Sequence, residues 1–140
     1  GVQTCALPIC INKMAEKPLK EYSKKVVSDA QSNAPTVVSR ITDKGLVQEP
    51  TNVGQMISAD YKNGLATINI MDKEVGYVEF GTGKYARDLL GTYDLEWKKL
   101  AFEFYVDGSG NTIPAPFIYP AVQENQKILD QELQKMLDKL

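Results

Sequence analysis

The chain has 140 residues, 43% hydrophobic and 24% charged, with 16 Lys and Arg against 18 Asp and Glu for a net charge of -2. This is the makeup of one ordinary globular domain with enough length to bury a core. It lacks the clustered basic excess typical of nucleic-acid binders and any apolar run near the roughly 18 residues of a membrane helix; the absence of histidine removes Ser–His and Cys–His nucleophile pairs and imidazole-bound zinc.

Both cysteines, Cys5 and Cys10, lie at the extreme N-terminus. A secretion signal fits poorly, because the apolar residues 6–11 have no basic segment before them and no small-residue cleavage site after them. Instead, Gly1-Val2-Gln3-Thr4-Cys5-Ala6-Leu7-Pro8-Ile9 resembles, residue for residue, one reading frame of a common short-read sequencing adapter. The adapter ends in a T, and the codons for Cys10 begin with T. Residues 1–10 are therefore expected to be translated adapter, and residues 11–140 a single domain.

Leu19, Tyr22, Val26, Val27 and Ala30 recur at helical spacing and predict an amphipathic helix over residues 15–32, with Pro18 in its first turn. Pro35 ends it, since proline disfavours helical geometry in the residue before it. Residues 36–51 are polar, with Gly45 and Pro50 as breakers; they accommodate one short edge strand around Leu46, Val47 and Gln48, or a mobile loop. Residues 55–61 and 65–71 flank Asn63-Gly64, the turn chemistry of a type I′ hairpin. Ile57, Ala59 and Tyr61 should share one face with Ala66, Ile68 and Ile70.

From Lys73 the chain reads as a short helical turn that runs into the glycine-bounded corner Gly81-Thr82-Gly83. Residues 94–102 suit a short helix or a strand. Phe104 and Val106, the turn from Asp107 to Asn111, and Thr112 and Ile113 read as a second hairpin. Pro114, Pro116 and Pro120 mark a rigid connector, and Leu129, Leu133, Met136, Leu137 and Leu140 place an apolar stripe on a last helix from about 120 to 139. The order of elements predicts a two-layer α+β domain, an antiparallel sheet of about four strands packed by an N-terminal helix and a long C-terminal helix.

No motif carries chemistry. Gly81-Thr82-Gly83-Lys84 fails as a phosphate loop twice: Val78 stands where the first glycine belongs, and Tyr85 follows the lysine instead of Ser or Thr. Counting a calcium loop from Asp107 puts Thr112 and Ile118 where Gly and Glu are required. Carboxylates such as Glu74, Glu79, Asp130 and Glu132 read as charges on solvated faces. Trp97, Phe102, Phe104 and Tyr105 read as core or protein interface, because the nearby Lys98 and Lys99 are cancelled by Glu96, Glu103 and Asp107. No catalytic, cofactor-binding or metal-binding residues are expected, and no cofactor.

Three blocks remain: Ala30 to Pro35, Gly76-Tyr77-Val78-Glu79-Phe80-Gly81-Thr82-Gly83, and Ala115-Pro116-Phe117-Ile118-Tyr119-Pro120-Ala121. In order and spacing they resemble the tail-component family typified by gene product ten of lambdoid phages, over residues 15–140. The motif residues are Pro35, Tyr77, Val78, Glu79, Phe80, Gly81, Thr82, Gly83, Pro116, Phe117, Pro120 and Ala121. One departure is Thr36-Val37-Val38-Ser39-Arg40-Ile41, where family members follow Ala-Pro with Asp-Thr-Gly-(any)-Leu.

The resemblance implies a non-enzymatic virion protein of a long-tailed phage (a siphovirus), made in the bacterial host cytoplasm and placed in the neck or tail. It would form part of the head–tail joining, or tail-completion, ring. Its implied partners are itself, in a hexameric ring, the head connector or stopper, and the tail terminator or tail tube. DNA would pass through the ring without sequence-specific or membrane contact. Residues 36–53 and 84–93 are the candidate contact loops. Alternatives are another neck or tail subunit such as a tail terminator, a carboxylate-dependent metal enzyme, and a host-directed binding module. The Tyr77 and Phe117 blocks are expected to touch and to fix the last helix on the sheet.

Overall fold

The computed structural model describes residues 7–105 and 110–139. Residues 1–6, Leu140, and Val106 with the Asp107-Gly108-Ser109 part of the expected hairpin tip lie outside them. Helix α1 spans Leu7–Asn33. It begins well before residue 15, so Pro18 is interior rather than in the first turn and the bond its missing N–H would have made is lost. The expected apolar stripe is its core face: Val26 and Ala30 are fully buried, Val27 nearly so, and Tyr22 packs at the edge. Near the helix end, the Asn33 side chain donates to the Asp29 carbonyl (2.9 Å).

Residues 36–51 depart from expectation. They form a complete hairpin, strands β1 (Val37–Thr42) and β2 (Gly45–Pro50), paired from Val37 with Pro50 to Thr42 with Gly45. The Asp43-Lys44 turn has no Asn-Gly signature. The Thr42 hydroxyl organises it, accepting from the Lys44 amide (3.2 Å) and donating to the Gly45 carbonyl (3.0 Å). Gly45, the first residue of β2, has φ 102° and leads the chain out of the turn.

After a 3₁₀ turn at Val53–Met56 comes the predicted hairpin, β3 (Ile57–Lys62) and β4 (Leu65–Ile70). Asn63 and Gly64 have φ 53° and 81°, the positive pair that a type I′ turn requires. Ile57 faces Ile70, Ala59 faces Ile68 and Tyr61 faces Ala66, which is the expected shared face. Helix α1 packs across both strands.

Four helices follow: α2 (Glu74–Phe80), α3 (Lys84–Leu90), α4 (Leu95–Tyr105) and α5 (Ile118–Asp138). The Asp94 carboxylate accepts the Trp97 amide (2.9 Å) and caps the start of α4. The run through Phe104 and Tyr105 is therefore helical, not the first arm of a hairpin. The strand-like return at residues 111–113 pairs elsewhere, with the free edge of β1. Ile41 donates to Asn111 (2.9 Å), Ile113 donates to Ser39 (2.8 Å), and Arg40 bridges Thr112.

The class is α+β as expected, with four antiparallel strands and two long helices. The strands are divided between two two-stranded sheets. The main core joins α1, β1, β3, α2 and α5 through Val26, Ala30, Val38, Val53, Ile57, Val75, Val78, Phe117 and Ala121. A second, aromatic cluster of Phe80, Tyr93 and Tyr119, with Trp97 against it, joins α2, α4 and α5. No helix among the described residues is long and apolar enough to cross a membrane.

Candidate functional site

The first turn of α5 has no side-chain cap of its own. Phe117 holds the N-cap position, and the helix opens Ile118-Tyr119-Pro120, so its leading amides need an acceptor from elsewhere. Glu79, in the last turn of α2, supplies it. One carboxylate oxygen, Oε2, accepts from the Phe117 amide (2.6 Å) and the Ile118 amide (3.0 Å). The other, Oε1, accepts from Ile118 (3.1 Å) and Tyr119 (2.6 Å). A helix N-terminus carries partial positive charge, so a carboxyl group there gains from the dipole as well as from the bonds.

Glu79 is 2% exposed, which corrects its reading as a charge on a solvated face. Burial pushes its carboxyl above the usual Glu range, while the three amides of Ile118, Phe117 and Tyr119 pull against that shift. The Tyr93 hydroxyl is pushed up to about 12, by burial first and then by the charges of Glu79 and Tyr119.

The corner after Glu79 is shaped by glycine. Gly81 and Gly83 have φ 74° and 62°, a region side chains adopt at a cost. A Cβ on Gly81 would also stand 2.7 Å from Pro114 Cδ. Backbone pairing closes the corner: Ala115 donates to Val78 (2.8 Å) and Thr82 to Thr112 (3.1 Å). The Thr82 hydroxyl accepts the Thr112 amide (2.9 Å). Gly81→Ala should therefore lose on the order of 2 kcal/mol of unfolding free energy in denaturant titration, combining backbone strain with the clash. A variant as stable as the parent would show that Pro114 can withdraw.

The structure thus brings together Val78, Glu79, Gly81, Thr82, Phe117 and the start of α5, so the two blocks touch as expected, while α5 lies chiefly along α1 rather than on the sheet. Phe117 is 1% exposed and lies in the main core with Val78; Ala121 is buried beside it. Phe80 turns the other way, onto Tyr93 (5.8 Å between ring centroids) and Trp97 (5.5 Å). Tyr119 stacks on Trp97 (5.0 Å). Tyr77 is half-buried, and Pro116 and Pro120 are exposed. Pro35 is not part of the junction. It lines a separate groove with Thr36, Thr51 and Gly54.

Sequence reasoning missed the role of Glu79. The available signal was a helix beginning without Ser, Thr, Asp or Asn at its cap, which implies a donated acceptor. Residues 84–93, expected as a candidate contact loop, hold helix α3, which buries Ala86, and a turn that buries Tyr93. Residues 36–53 do remain largely exposed along β2. The aromatic group expected around Trp97 is joined by Phe80, Tyr93 and Tyr119, and Phe102 is 49% exposed.

Among the described residues, no group of three or more Cys, Asp or Glu side chains is placed to hold a metal ion. The Glu79 oxygens are turned onto backbone amides, so the arrangement is a joint, binding one helix to another. No protein-family profile, curated protein or solved structure matches the chain.

Proposed function

We propose that the chain is a structural virion protein of a long-tailed phage and forms part of the head–tail joining, or tail-completion, ring. One observation supports this reading above the others. The two blocks that carry the resemblance, 38 to 40 residues apart in sequence, serve each other through Glu79 and the Phe117, Ile118 and Tyr119 amides. Motif residues spent on holding a shape suit a subunit that works by geometry. In such a ring the subunit meets its own copies by head-to-tail contacts, the connector or stopper on one side, and the tail terminator or tube on the other. The exposed β1–β2 hairpin is available for such contacts.

Deleting the gene from a prophage that carries it should leave DNA-filled heads and separate, complete tails in electron micrographs of the induced lysate. Supplying the gene in trans should restore joined particles. Intact infectious particles without the gene, or a lysate lacking heads altogether, would overturn the assignment.

A further inference from the structure

We propose that the outer edge of β2 is a self-association surface on which the same strand of a second copy adds antiparallel, about a two-fold axis at Val47. In an antiparallel ladder, alternate residues direct their backbone groups toward the partner strand and away from it. Ser39 and Ile41 of β1 point away from β2, because their groups bond to Ile113 and Asn111. Their register partners are Gln48 and Leu46, which must therefore point away from β1 on the opposite side. Among the described residues nothing bonds to those outward groups, and all six residues of β2 are exposed, Leu46 to 58%. What Leu46 and Gln48 leave open is a short ladder of two N–H and two C=O groups. The chemistry that fits it is another extended backbone.

The pattern selects both the occupant and the register. Pro50 has no N–H and ends the ladder, so a pairing that relied on it would lose donors. Setting Leu46 opposite Gln48 of the second copy, and Gln48 opposite its Leu46, uses every outward group of those two residues and needs nothing from Pro50. The ladder is thus complementary to itself. In this register Val47 meets its own counterpart on the axis, and Glu49 faces Gly45, so the two carboxylates do not oppose each other. The strand carries no Lys or Arg to repel a partner, and its Glu49 is held by Arg40 (2.7 Å). A two-stranded ribbon is marginal by itself; pairing at β2 makes it the middle of a wider sheet. This two-fold contact is distinct from head-to-tail ring contacts and does not rest on the phage reading.

The test uses the full chain with Cys5 and Cys10 replaced by Ser. Val47→Cys should form a disulfide-linked dimer on mild oxidation, because residues in a pair without hydrogen bonds bring their Cα atoms to about 4.5 Å, within disulfide reach. Leu46→Cys, displaced from the axis, should cross-link at least tenfold more slowly. Sedimentation should show concentration-dependent dimers that Gln48→Pro weakens at least tenfold, since it removes an outward N–H while sparing the backbone bonds to β1 and losing only the exposed side-chain bond from Gln48 to Ser39 (3.2 Å). Leu46→Lys, which leaves the backbone donors intact and places two like charges beside the new interface, should weaken them too and guards against misfolding of the proline variant. A chain monomeric at all concentrations, equal cross-linking from Leu46→Cys and Val47→Cys, or dimers indifferent to both Gln48→Pro and Leu46→Lys would overturn the proposal.

Discussion

Replacing Glu79 by Gln is expected to destabilise the fold by about 3 kcal/mol or more. The carboxylate accepts three buried backbone amides through two oxygens. An amide side chain keeps one acceptor and turns an NH₂ group toward donors, so at least one helix amide is left buried without a partner. Hydrogen bonds to a charged acceptor contribute about 1.5–3 kcal/mol each, and an orphaned donor costs a similar amount. Chemical denaturation of parent and variant, both at a pH above the one at which Glu79 ionises in the folded chain, measures the difference. A loss under about 1 kcal/mol would mean that water can replace the carboxylate, and that the junction is not closed.

The same residue gives the fold a pH dependence with a definite sign. Burial raises the Glu79 carboxyl above its ordinary value of 4.5, so the native state holds this proton more tightly than the unfolded chain does. The stability linked to that proton is fully present below 4.5 and is lost as pH rises through the folded-state value. Glu79→Gln should remove that slope from a plot of unfolding free energy against pH. An unchanged slope would assign it to another group, and a slope of opposite sign would show that the three amides outweigh burial.

Phe117→Ala should cost on the order of 3 kcal/mol, the usual range for emptying a packed aromatic site. The ring is 1% exposed among Val26, Val75 and Val78. Its backbone amide, which donates to Glu79, survives the substitution. The two variants therefore separate the two ways this joint is held, by packing and by hydrogen bonds. Thermal unfolding followed by circular dichroism reports the loss. An unchanged midpoint would show that the side chain is not what seats α5. Phe117→Leu, which keeps most of the volume, should fall between the two.

What could be read from the sequence follows how local each signal is. The helix through Val26 and Ala30 and the Asn63-Gly64 hairpin are written in adjacent residues and appear as expected; of the apolar stripe predicted for α5, Leu129 is buried while Leu137 is 51% exposed. Contact between the Tyr77 and Phe117 blocks was legible from the motif as a unit. The β1–β2 hairpin was not, because its turn depends on the Thr42 hydroxyl rather than on an Asn-Gly pair. Nor could residues 111–113 be matched to β1, some 70 residues upstream; the nearer apolar run at Phe104 competed for them, and that run proved helical. Short apolar runs leave helix and strand undecided, and the deciding cue was Asp94 at the N-cap. Glu79 escaped because a carboxylate usually belongs to water, and only the uncapped start of α5 argued otherwise.

The borrowed cap also sets an order of events during synthesis. The first turn of α5 cannot be completed by its own sequence, because the acceptor for its amides lies 38 to 40 residues earlier, at the end of α2. Capping that turn needs the glycine corner to have turned the chain back. A growing chain that leaves the ribosome can make α1 and the β3–β4 hairpin from local contacts. The first turn of its final helix is completed only once α2 is in place to supply the acceptor.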